Sequence, residues 1–334
     1  MKKILDFSWG DTRGVREVIL NIYRGLGLTS MPLDSFGYPP HEGDPDLVIL
    51  LKSLTKELTG IGYNHITVSE GCTHAVMASI YALKNNNTKT VKTRSLYYPR
   101  YSDMISISNL AHEKKHENTI SEDDIALIDS PSNPLGLVGS SKSYPKLIWD
   151  GAYHSPTYGI LRGTNAIKDA RIFCGSLSKL TGINGLRLGW TATNEVGLDI
   201  SIQKYIRNTI CGVSYPSMHV ATKILSDRQN LKEFFLRSKI LIEDNKDIVK
   251  KLDNLFGKQP ISPKGMFAFW QTDEKLRKLL DKAMVKVTPG ADCGGDESQV
   301  RINLGNSNKM TKEMVSRITN IDKIAPKKRK SNAG

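Results

Sequence analysis

The sequence predicts an α/β fold, with a mostly parallel central sheet flanked by helices and a smaller α+β domain towards the carboxyl terminus. Short apolar segments that end in turn residues alternate with longer amphipathic stretches through the first two thirds of the chain. Alternating strands and helices of this kind are typical of parallel sheets joined by helical crossovers. The last third changes to a long charged helical stretch followed by segments that suit a second, smaller sheet.

The predicted strands lead directly into polar residues. The first covers residues 66–68 and leads through Gly71 into a helix that extends to Leu83. Further strands are predicted at residues 125–128, 147–149 and 171–174. Because ligands of such sheets bind beyond the carboxyl ends of the strands, we expect the polar residues that follow them to share one site.

The last third is predicted to contain a helix over residues 230–255 and strands at residues 266–270 and 299–304. We therefore predict an N-terminal segment (1–30) that joins the small domain, and a large domain over 31–212. A small C-terminal domain over 213–322 and a basic, disordered tail over 323–334 complete the predicted organisation.

The composition is typical of a globular enzyme, since 39% of the 334 residues are apolar and 24% are charged. The four cysteines form no C-x-x-C pair, which favours reduced thiols. No apolar segment approaches the roughly 20 residues that span a bilayer. Met1-Lys2-Lys3 is not followed by an apolar segment of signal-peptide length, so we expect a cytoplasmic protein.

The chain is basic, with a net charge of +13, and part of this charge is local. Five of the basic residues lie in the predicted tail: Lys323, Lys327, Lys328, Arg329 and Lys330. We interpret the tail as a solvated segment, and contact with nucleic acid or another polyanion is the alternative. His112 and His116 flank a charged run, which we interpret as a solvated face, and we expect no metal site.

The most specific motif is SLSKLTGINGLRLGW at residues 176–190. Lys179 lies just past a predicted strand and can form a Schiff base with a carbonyl cofactor if its surroundings lower its pKa. The hydroxyls of Ser176 and Ser178 and the guanidinium of Arg187 can bind a phosphate nearby. The motif therefore suits a carbonyl cofactor that also carries a phosphate.

This motif resembles the lysine motif of fold-type I enzymes that depend on pyridoxal 5'-phosphate (PLP), in the class I/II aminotransferase family. Compact histidinol-phosphate aminotransferases are among the members that the chain resembles. The resemblance extends from about Phe7 to Asn303, with the family's motifs in the family's order. It implies a fold-type I transferase that binds PLP in its large domain.

The resemblance assigns groups to the cofactor ring. Asp150-Gly151-Ala152-Tyr153 resembles the Asp-x-Ala-Tyr motif, which implies that Asp150 keeps the pyridine nitrogen protonated and that Tyr153 contacts the phenolic oxygen. Asn133-Pro134-Leu135-Gly136 resembles Asn-Pro-x-Gly, which implies that Asn133 contacts the same oxygen. Tyr98-Pro99-Arg100-Tyr101 resembles Tyr-Pro-x-Tyr, which implies that Tyr98 stacks on the ring.

The phosphate is expected at a helix start and across a dimer. Gly71-Cys72-Thr73 precedes a predicted helix, whose amides and dipole suit an anion, and Cys72 is a mild departure from the family's pattern. Tyr38 lies where the family places a tyrosine that reaches the partner's phosphate, which implies a homodimer with shared sites.

The resemblance also assigns residues to the substrate. Arg301 matches the arginine that binds the α-carboxylate, a task that suits a guanidinium. Gly10, within Trp9-Gly10-Asp11, matches a glycine that closes over the substrate, and Asn133 is a further substrate contact.

The expected function is an aminotransferase that acts on an amino acid and a 2-oxo acid. It would use a ping-pong mechanism through a Lys179 aldimine, with Lys179, Asp150 and Tyr153 as the catalytic residues. A PLP-dependent decarboxylase or lyase is the alternative, and a non-catalytic PLP-binding protein is a third. Asp150 lies only 17 positions after Asn133, so a loop at 139–145 is expected in place of an outer helix. This shortening leaves the substrate unspecified.

Overall fold

The computed structural model of the chain describes residues 4–8, 37–114, 121–139, 144–164, 166–253, 264–272 and 274–324. The helices in these ranges are α1 (Pro45–Thr59), α2 (Gly71–Leu83), α3 (Tyr101–Ile107), α4 (Leu177–Thr181), α5 (Val196–Ile210), α6 (Tyr215–Ser226), α7 (Arg228–Val249), α8 (Glu274–Lys282) and α9 (Asn308–Ile324). The strands are β1 (Leu5–Asp6), β2 (His65–Ser69), β3 (Thr90–Thr93), β4 (Ala111–Lys114), β5 (Ile125–Asp129), β6 (Leu147–Asp150), β7 (Ile172–Ser176), β8 (Gly189–Thr193), β9 (Phe267–Gln271), β10 (Val285–Lys286), β11 (Thr288–Pro289) and β12 (Gln299–Asn303).

The central sheet contains seven of the described strands, in the order β2-β8-β7-β6-β5-β3-β4. β8 runs antiparallel to both of its neighbours, and every other neighbouring pair is parallel. β5 and β6 are buried along their whole length, as expected for strands covered on both faces. The predicted α/β fold with a mostly parallel central sheet is confirmed.

Helices cover both faces of this sheet. On one face, leucines of α1 pack with Trp149, Trp190 and apolar residues of α6 and the first half of α7. On the other face, α2 and α5 pack on Leu127 and Ile148. These two cores hold the carboxyl ends of β5, β6 and β7 side by side, with Asp129 in register with Asp150 and Asp150 in register with Cys174.

A smaller α+β unit follows, as predicted. The antiparallel strands β11, β12 and β9 form its sheet, and β1 pairs in parallel with β10. The last turn of α7 packs with α8 and α9 on apolar residues of this sheet, including Trp270 and Ile302. Residues near the amino terminus therefore lie beside the small sheet, although the predicted domain boundaries themselves stay a prediction.

Some elements differ from the sequence prediction. α7 ends at Val249 and a short 3-10 turn follows, whereas the predicted helix continued to residue 255. α3, β3 and β4 had not been predicted, and β4 is a polar edge strand without an apolar signature. Glu113 and Lys114 of the charged run are exposed, in agreement with the interpretation of this run as a solvated face. His112 beside the run is half-buried, and its two ring nitrogens lie within hydrogen-bond distance of Thr93 and Ser102. His116 lies outside the described residues.

In the described part of the chain, no helix is long and apolar enough to cross a membrane. In the same ranges, no group of three or more His, Cys, Asp or Glu residues is arranged to hold a metal ion. The four cysteines, all in described segments, are free thiols.

Candidate active site

A cavity of about 650 Å³ opens at the carboxyl ends of β5, β6 and β7. The start of α2, the turn before α3 and the small sheet close its other sides. Most of the residues predicted for the cofactor and the substrate line it: Cys72, Thr73, Tyr98, Asn133, Asp150, Tyr153, Ser176, Ser178, Lys179, Arg187 and Arg301. Residues from distant parts of the sequence thus meet in one cavity, as the parallel sheet predicts.

Asp150 is the last residue of β6 and is buried, with three hydrogen-bond donors around its carboxylate. The Tyr101 hydroxyl donates to Oδ2 at 2.7 Å, and the Ala152 amide donates to Oδ1 at 2.9 Å. The Cys72 thiol also donates to Oδ1, at 3.3 Å. Burial raises the pKa of Asp150, while these hydrogen bonds and the positive charge of Lys179 oppose that rise.

Lys179 lies on α4, the short helix that follows β7 directly. Its Nζ is 5.8 Å from the centre of the Tyr153 ring. The hydroxyl of Tyr158 donates to the Lys179 backbone carbonyl at 2.7 Å and so fixes the main chain at the lysine. The amine and the Asp150 carboxylate line the same cavity, which is the arrangement that a pyridine aldehyde needs.

The part of the cavity where the phosphate is predicted to bind is built by a close approach of two backbones. Gly71 has φ +80°, and a Cβ at this position would lie 2.6 Å from Nη2 of Arg187. A Cβ on Gly189 would lie 2.5 Å from the Gly71 carbonyl carbon and 2.6 Å from the Cys72 nitrogen. Glycine is therefore required at both positions, and it brings the Arg187 guanidinium onto the start of α2.

Thr73, Ser176 and Ser178 complete this end of the cavity. Hydroxyl groups, a guanidinium and the amino end of a helix together suit a phosphate. The Cys72 side chain lies elsewhere, because its thiol contacts Asp150. The phosphate contacts of these residues stay a prediction.

Asn133 and Arg301 meet across the cavity and are both buried. Arg301 on β12 donates from Nη1 to the Asn133 side-chain oxygen at 2.8 Å. Its Nη2 donates to the Ser8 carbonyl at 3.0 Å and to the Thr288 hydroxyl at 3.1 Å. The Phe267 ring lies under the guanidinium, with its centre 4.5 Å from Cζ.

The predicted stacking residue, Tyr98, lies in the cavity wall. Its ring centre is 5.6 Å from that of Tyr101, at a steep angle. Burial raises the pKa of the Tyr98 hydroxyl, with a further contribution from the charge of Asp150, while Arg301 and Arg100 oppose the rise. Stacking on a cofactor ring stays a prediction.

Of the predicted residues that the structure describes, Gly71 and Tyr38 are not among those that line this cavity, and Gly71 lies at the start of α2 beside it. Tyr38 is 88% exposed and lines a separate surface depression beside Glu70 and Gly212. Such exposure is compatible with the predicted contact to a partner's phosphate, which stays a prediction. Gly10 lies outside the described residues.

Sequence reasoning missed three contributors to the site. Tyr101 belongs to a predicted motif, but no role was predicted for its hydroxyl, which donates to Asp150. Asp129 was not recognised, although it is buried and lines the cavity next to Asp150. Thr288 was not recognised as a partner of Arg301. The position of Asp129 at the end of an apolar strand, like that of Asp150, was a signal that could have identified it.

Two features of the cavity show whether its residues fit PLP: buried polar atoms without a partner, and the close packing around Gly71. Among the described residues, Nδ2 of Asn133 and Nε of Arg301 are buried without a hydrogen-bond partner, so donors remain for a bound oxygen and a bound carboxylate. Because Gly71 has no side chain, the Arg187 guanidinium can lie against the start of α2, and a cation beside the amino end of a helix suits a bound anion. The residues present therefore fit the cofactor.

The family model for aminotransferase class I and II matches residues 31–318. The chain therefore belongs to this family of PLP-dependent enzymes. Solved structures support the fold. A Methanococcus jannaschii protein, reported as similar in its active site to kynurenine aminotransferases, has a TM-score of 0.76 at 20% identity and covers 96% of this chain and 92% of its own. A double mutant of Thermus thermophilus aspartate aminotransferase has a TM-score of 0.76 at 15% identity, with coverages of 95% and 91%.

Curated relatives agree with this assignment. The Arabidopsis thaliana tryptophan aminotransferase-related protein 2 is 29% identical over 72% of this chain and 62% of its own length. The Bacillus subtilis aspartate aminotransferase is 22% identical over 84% of this chain and 82% of its own length. The match to the rice tryptophan aminotransferase-related protein 2 spans only 35% of that protein. The finer resemblance to histidinol-phosphate aminotransferases stays a prediction.

Proposed function

We propose that this chain is an aminotransferase that moves an amino group from an amino acid to a 2-oxo acid in two half-reactions of a ping-pong cycle. The observation that carries the proposal is that the Lys179 amine, the Asp150 carboxylate and the Arg301 guanidinium line one cavity. The first suits an aldehyde, the second a pyridine nitrogen and the third a substrate carboxylate. A binding protein without catalysis would not need all three.

The side chains around the cavity would hold PLP from several directions. Asp150 would face the ring nitrogen, and Asn133 and Tyr153 the phenolic oxygen. The phosphate would be held by a set of hydroxyls, a guanidinium and backbone amides: Thr73, Ser176, Ser178, Arg187 and the start of α2. When bound, the cofactor supplies a cationic ring that accepts negative charge from the substrate Cα.

Each remaining task falls to a residue of the chain. The Lys179 amine would move the proton from the substrate Cα to C4′ of the cofactor in the first half-reaction, and from C4′ to the Cα of the new amino acid in the second. Arg301, held by Asn133, Ser8 and Thr288, fixes the α-carboxylate and so orients the Cα–H bond. The buried walls exclude water from the proton that Lys179 carries.

The proposal includes a homodimer in which the exposed Tyr38 of one protomer reaches the phosphate site of the other. Tyr38→Phe should then weaken PLP binding while leaving the sedimentation coefficient unchanged. A monomeric protein with unaltered PLP affinity in this variant would contradict the shared site.

The half-reaction tests the transamination proposal. PLP-loaded protein is mixed with L-tryptophan, L-aspartate or other single amino acids while its visible absorbance is followed. The expected result is loss of the cofactor's colour together with one equivalent of 2-oxo acid, and recovery on addition of a 2-oxo acid. Lys179→Ala should bind PLP without completing the cycle. Absence of 2-oxo acid from every amino donor would contradict the proposal.

A lyase remains the second candidate, because alliin lyase from Allium cepa is 26% identical over 49% of this chain. That match covers 39% of the lyase. A lyase would release an elimination product, and a decarboxylase would release carbon dioxide. In both cases the cofactor's colour would persist without an added 2-oxo acid, which separates these reactions from transamination.

A further inference from the structure

Asp129 is a buried ionisable residue at the cavity for which the proposed reaction has no role. It ends β5, is 4% exposed, and is in register with Asp150 of the neighbouring strand. Its Oδ2 accepts the backbone N–H of Asn133 at 2.7 Å. A buried carboxylate is costly, so a specific contribution is needed to offset it.

Arg94 and Asp129 both contact the turn over residues 130–139, which carries Asn133. Asp129 accepts the amide at Asn133, and Nη2 of Arg94 donates to the Gly139 carbonyl at 2.6 Å. The two side chains form an ion pair, with Arg94 Nε 3.7 Å from Asp129 Oδ1. Inside the turn, Ser130 and Ser132 accept the amides of Gly139 and Leu137. The ion pair thus links Asp129, the residue before the turn, to Gly139 at its far end through Arg94.

Asn133, within this turn, contacts Arg301, the residue proposed to bind the substrate carboxylate. The Asn133 side-chain oxygen accepts from Arg301, while the side-chain nitrogen Nδ2 of Asn133 is buried without a hydrogen-bond partner. A shift of the turn would move both the Arg301 contact and this free donor. The chain of contacts therefore runs from Arg94 through Asp129 and Asn133 to Arg301.

We propose that Asp129, paired with Arg94, is a positioning residue that orients Asn133 and, through it, the carboxylate-binding Arg301. The inference rests on the proposed role of Arg301 and adds a group that acts on substrate affinity without touching the substrate.

If Asp129 positions Asn133, then the affinity for substrate carboxylates should depend on the protonation state of Asp129. Burial raises the pKa of Asp129 to about 7, against the opposing effects of the Asn133 amide and the Arg94 charge. The other groups that interact electrostatically with Asp129 are Asp150, Tyr101 and Cys293. Below this pKa the carboxyl is neutral and the ion pair with Arg94 is lost. Substrate carboxylates should therefore bind more weakly as the pH falls through about 7.

The first experiment measures the turn directly. Hydrogen–deuterium exchange of peptides covering residues 130–139 is compared among wild-type holoenzyme, Asp129→Asn and Arg94→Gln. Both variants should increase deuterium uptake in this segment at pH 8. The matched control is Asp199→Asn, which removes another buried carboxylate that accepts from Thr67 at 2.6 Å and does not line the cavity. Unchanged uptake in Asp129→Asn would overturn the proposal.

The second experiment measures carboxylate binding. Maleate and 3-indolepropionate, which lack an amino group, are titrated into each holoenzyme by calorimetry between pH 6 and pH 8. At pH 8 the dissociation constant should rise about tenfold in Asp129→Asn and in Arg94→Gln, the size expected for loss of a charged hydrogen-bonded contact. At pH 6 wild type and Asp129→Asn should bind alike, since Asp129 is then neutral in both.

The outcomes separate this inference from the proposed function. Weaker binding in Arg301→Gln but not in Asp129→Asn would overturn the positioning role alone. If Arg301→Gln bound the probes as tightly as wild type, the carboxylate role of Arg301 would be overturned, and the inference with it. The same conclusion would follow if wild type bound neither probe. Once an amino donor is known, Asp129→Asn should raise KM more than it lowers kcat.

Discussion

Asp129 and Asp150 occupy equivalent places on neighbouring parallel strands, yet different numbers of hydrogen-bond donors surround their carboxylates. Both end a buried strand, face the same cavity and are in register. Asp150 accepts hydrogen bonds from Tyr101, Ala152 and Cys72. Asp129 accepts one from the Asn133 amide and has a guanidinium 3.7 Å away.

The position of an aspartate at the end of a strand therefore does not by itself determine its charge state or its role. The donors that surround it come from elements far away in sequence, and they set whether the carboxylate stays charged. Three donors and the nearby Lys179 favour the charged form of Asp150, which is the form that a pyridinium needs. Burial raises the pKa of Asp129 to about 7, and with fewer donors to oppose this rise the carboxyl can change charge near neutrality.

Replacement of each aspartate by asparagine is the strongest test of this difference. Asp150→Asn should lower the rate of the half-reaction by about 10³-fold, because it removes the charge that stabilises the cationic ring as negative charge develops. Asp129→Asn should lower it by about tenfold at most, since it acts on positioning. Single-turnover absorbance measurements provide both rates. An equal decrease in the half-reaction rate in both variants would show that the two carboxylates have the same role.

The stability of the protein should reveal the titration of Asp129. Its pKa is raised from 3.8 to about 7 in the folded state, so the folded protein binds the proton more tightly than the unfolded chain. The stability that this proton provides is complete below pH 4 and is lost as the pH rises to about 7. Relative to wild type, Asp129→Asn should therefore gain on the order of 4 kcal/mol between pH 4 and pH 8. Urea unfolding of the PLP-free protein at several pH values measures this gain, with Asp199→Asn as the control. A pH-independent difference would contradict the titration.

The sequence was sufficient to predict the sheet and most of the cavity wall. Apolar strands that end in Asp150 or lead to Asn133 and Lys179 must bring those residues to one edge, because parallel strands share their carboxyl ends. The seven-stranded order, the antiparallel β8 and the polar edge strand β4 were not predictable in this way, since strand order depends on tertiary packing.

The residues that hold the predicted side chains were harder to predict. Tyr101 and Cys72 reach Asp150 from two separate helices, and Thr288 reaches Arg301 from a two-residue strand. Such contacts depend on distances between elements that no local pattern contains. Sequence therefore identified the groups that would touch the cofactor better than the groups that set their charge and orientation.

Loss of the Tyr101 hydroxyl should partly convert the environment of Asp150 into that of Asp129. Tyr101→Phe removes the 2.7 Å hydrogen bond to Oδ2 and should raise the pKa of Asp150. The half-reaction should slow by about tenfold, and more at low pH than at high pH. A pH–rate profile checks this. An unchanged profile would mean that the remaining donors are sufficient.

The Cys72 thiol should contribute the smallest effect of the three donors to Asp150. A thiol is a weak donor, and this one lies 3.3 Å from Oδ1, which also accepts the Ala152 amide. Cys72→Ala should therefore slow the half-reaction by only about two- to threefold. Cys72→Ser is the matched variant, because a hydroxyl can donate to the same oxygen, and it should retain the wild-type rate. If the serine variant were as slow as the alanine variant, the side chain would act through packing at the start of α2, and the hydrogen bond would not explain the charge of Asp150.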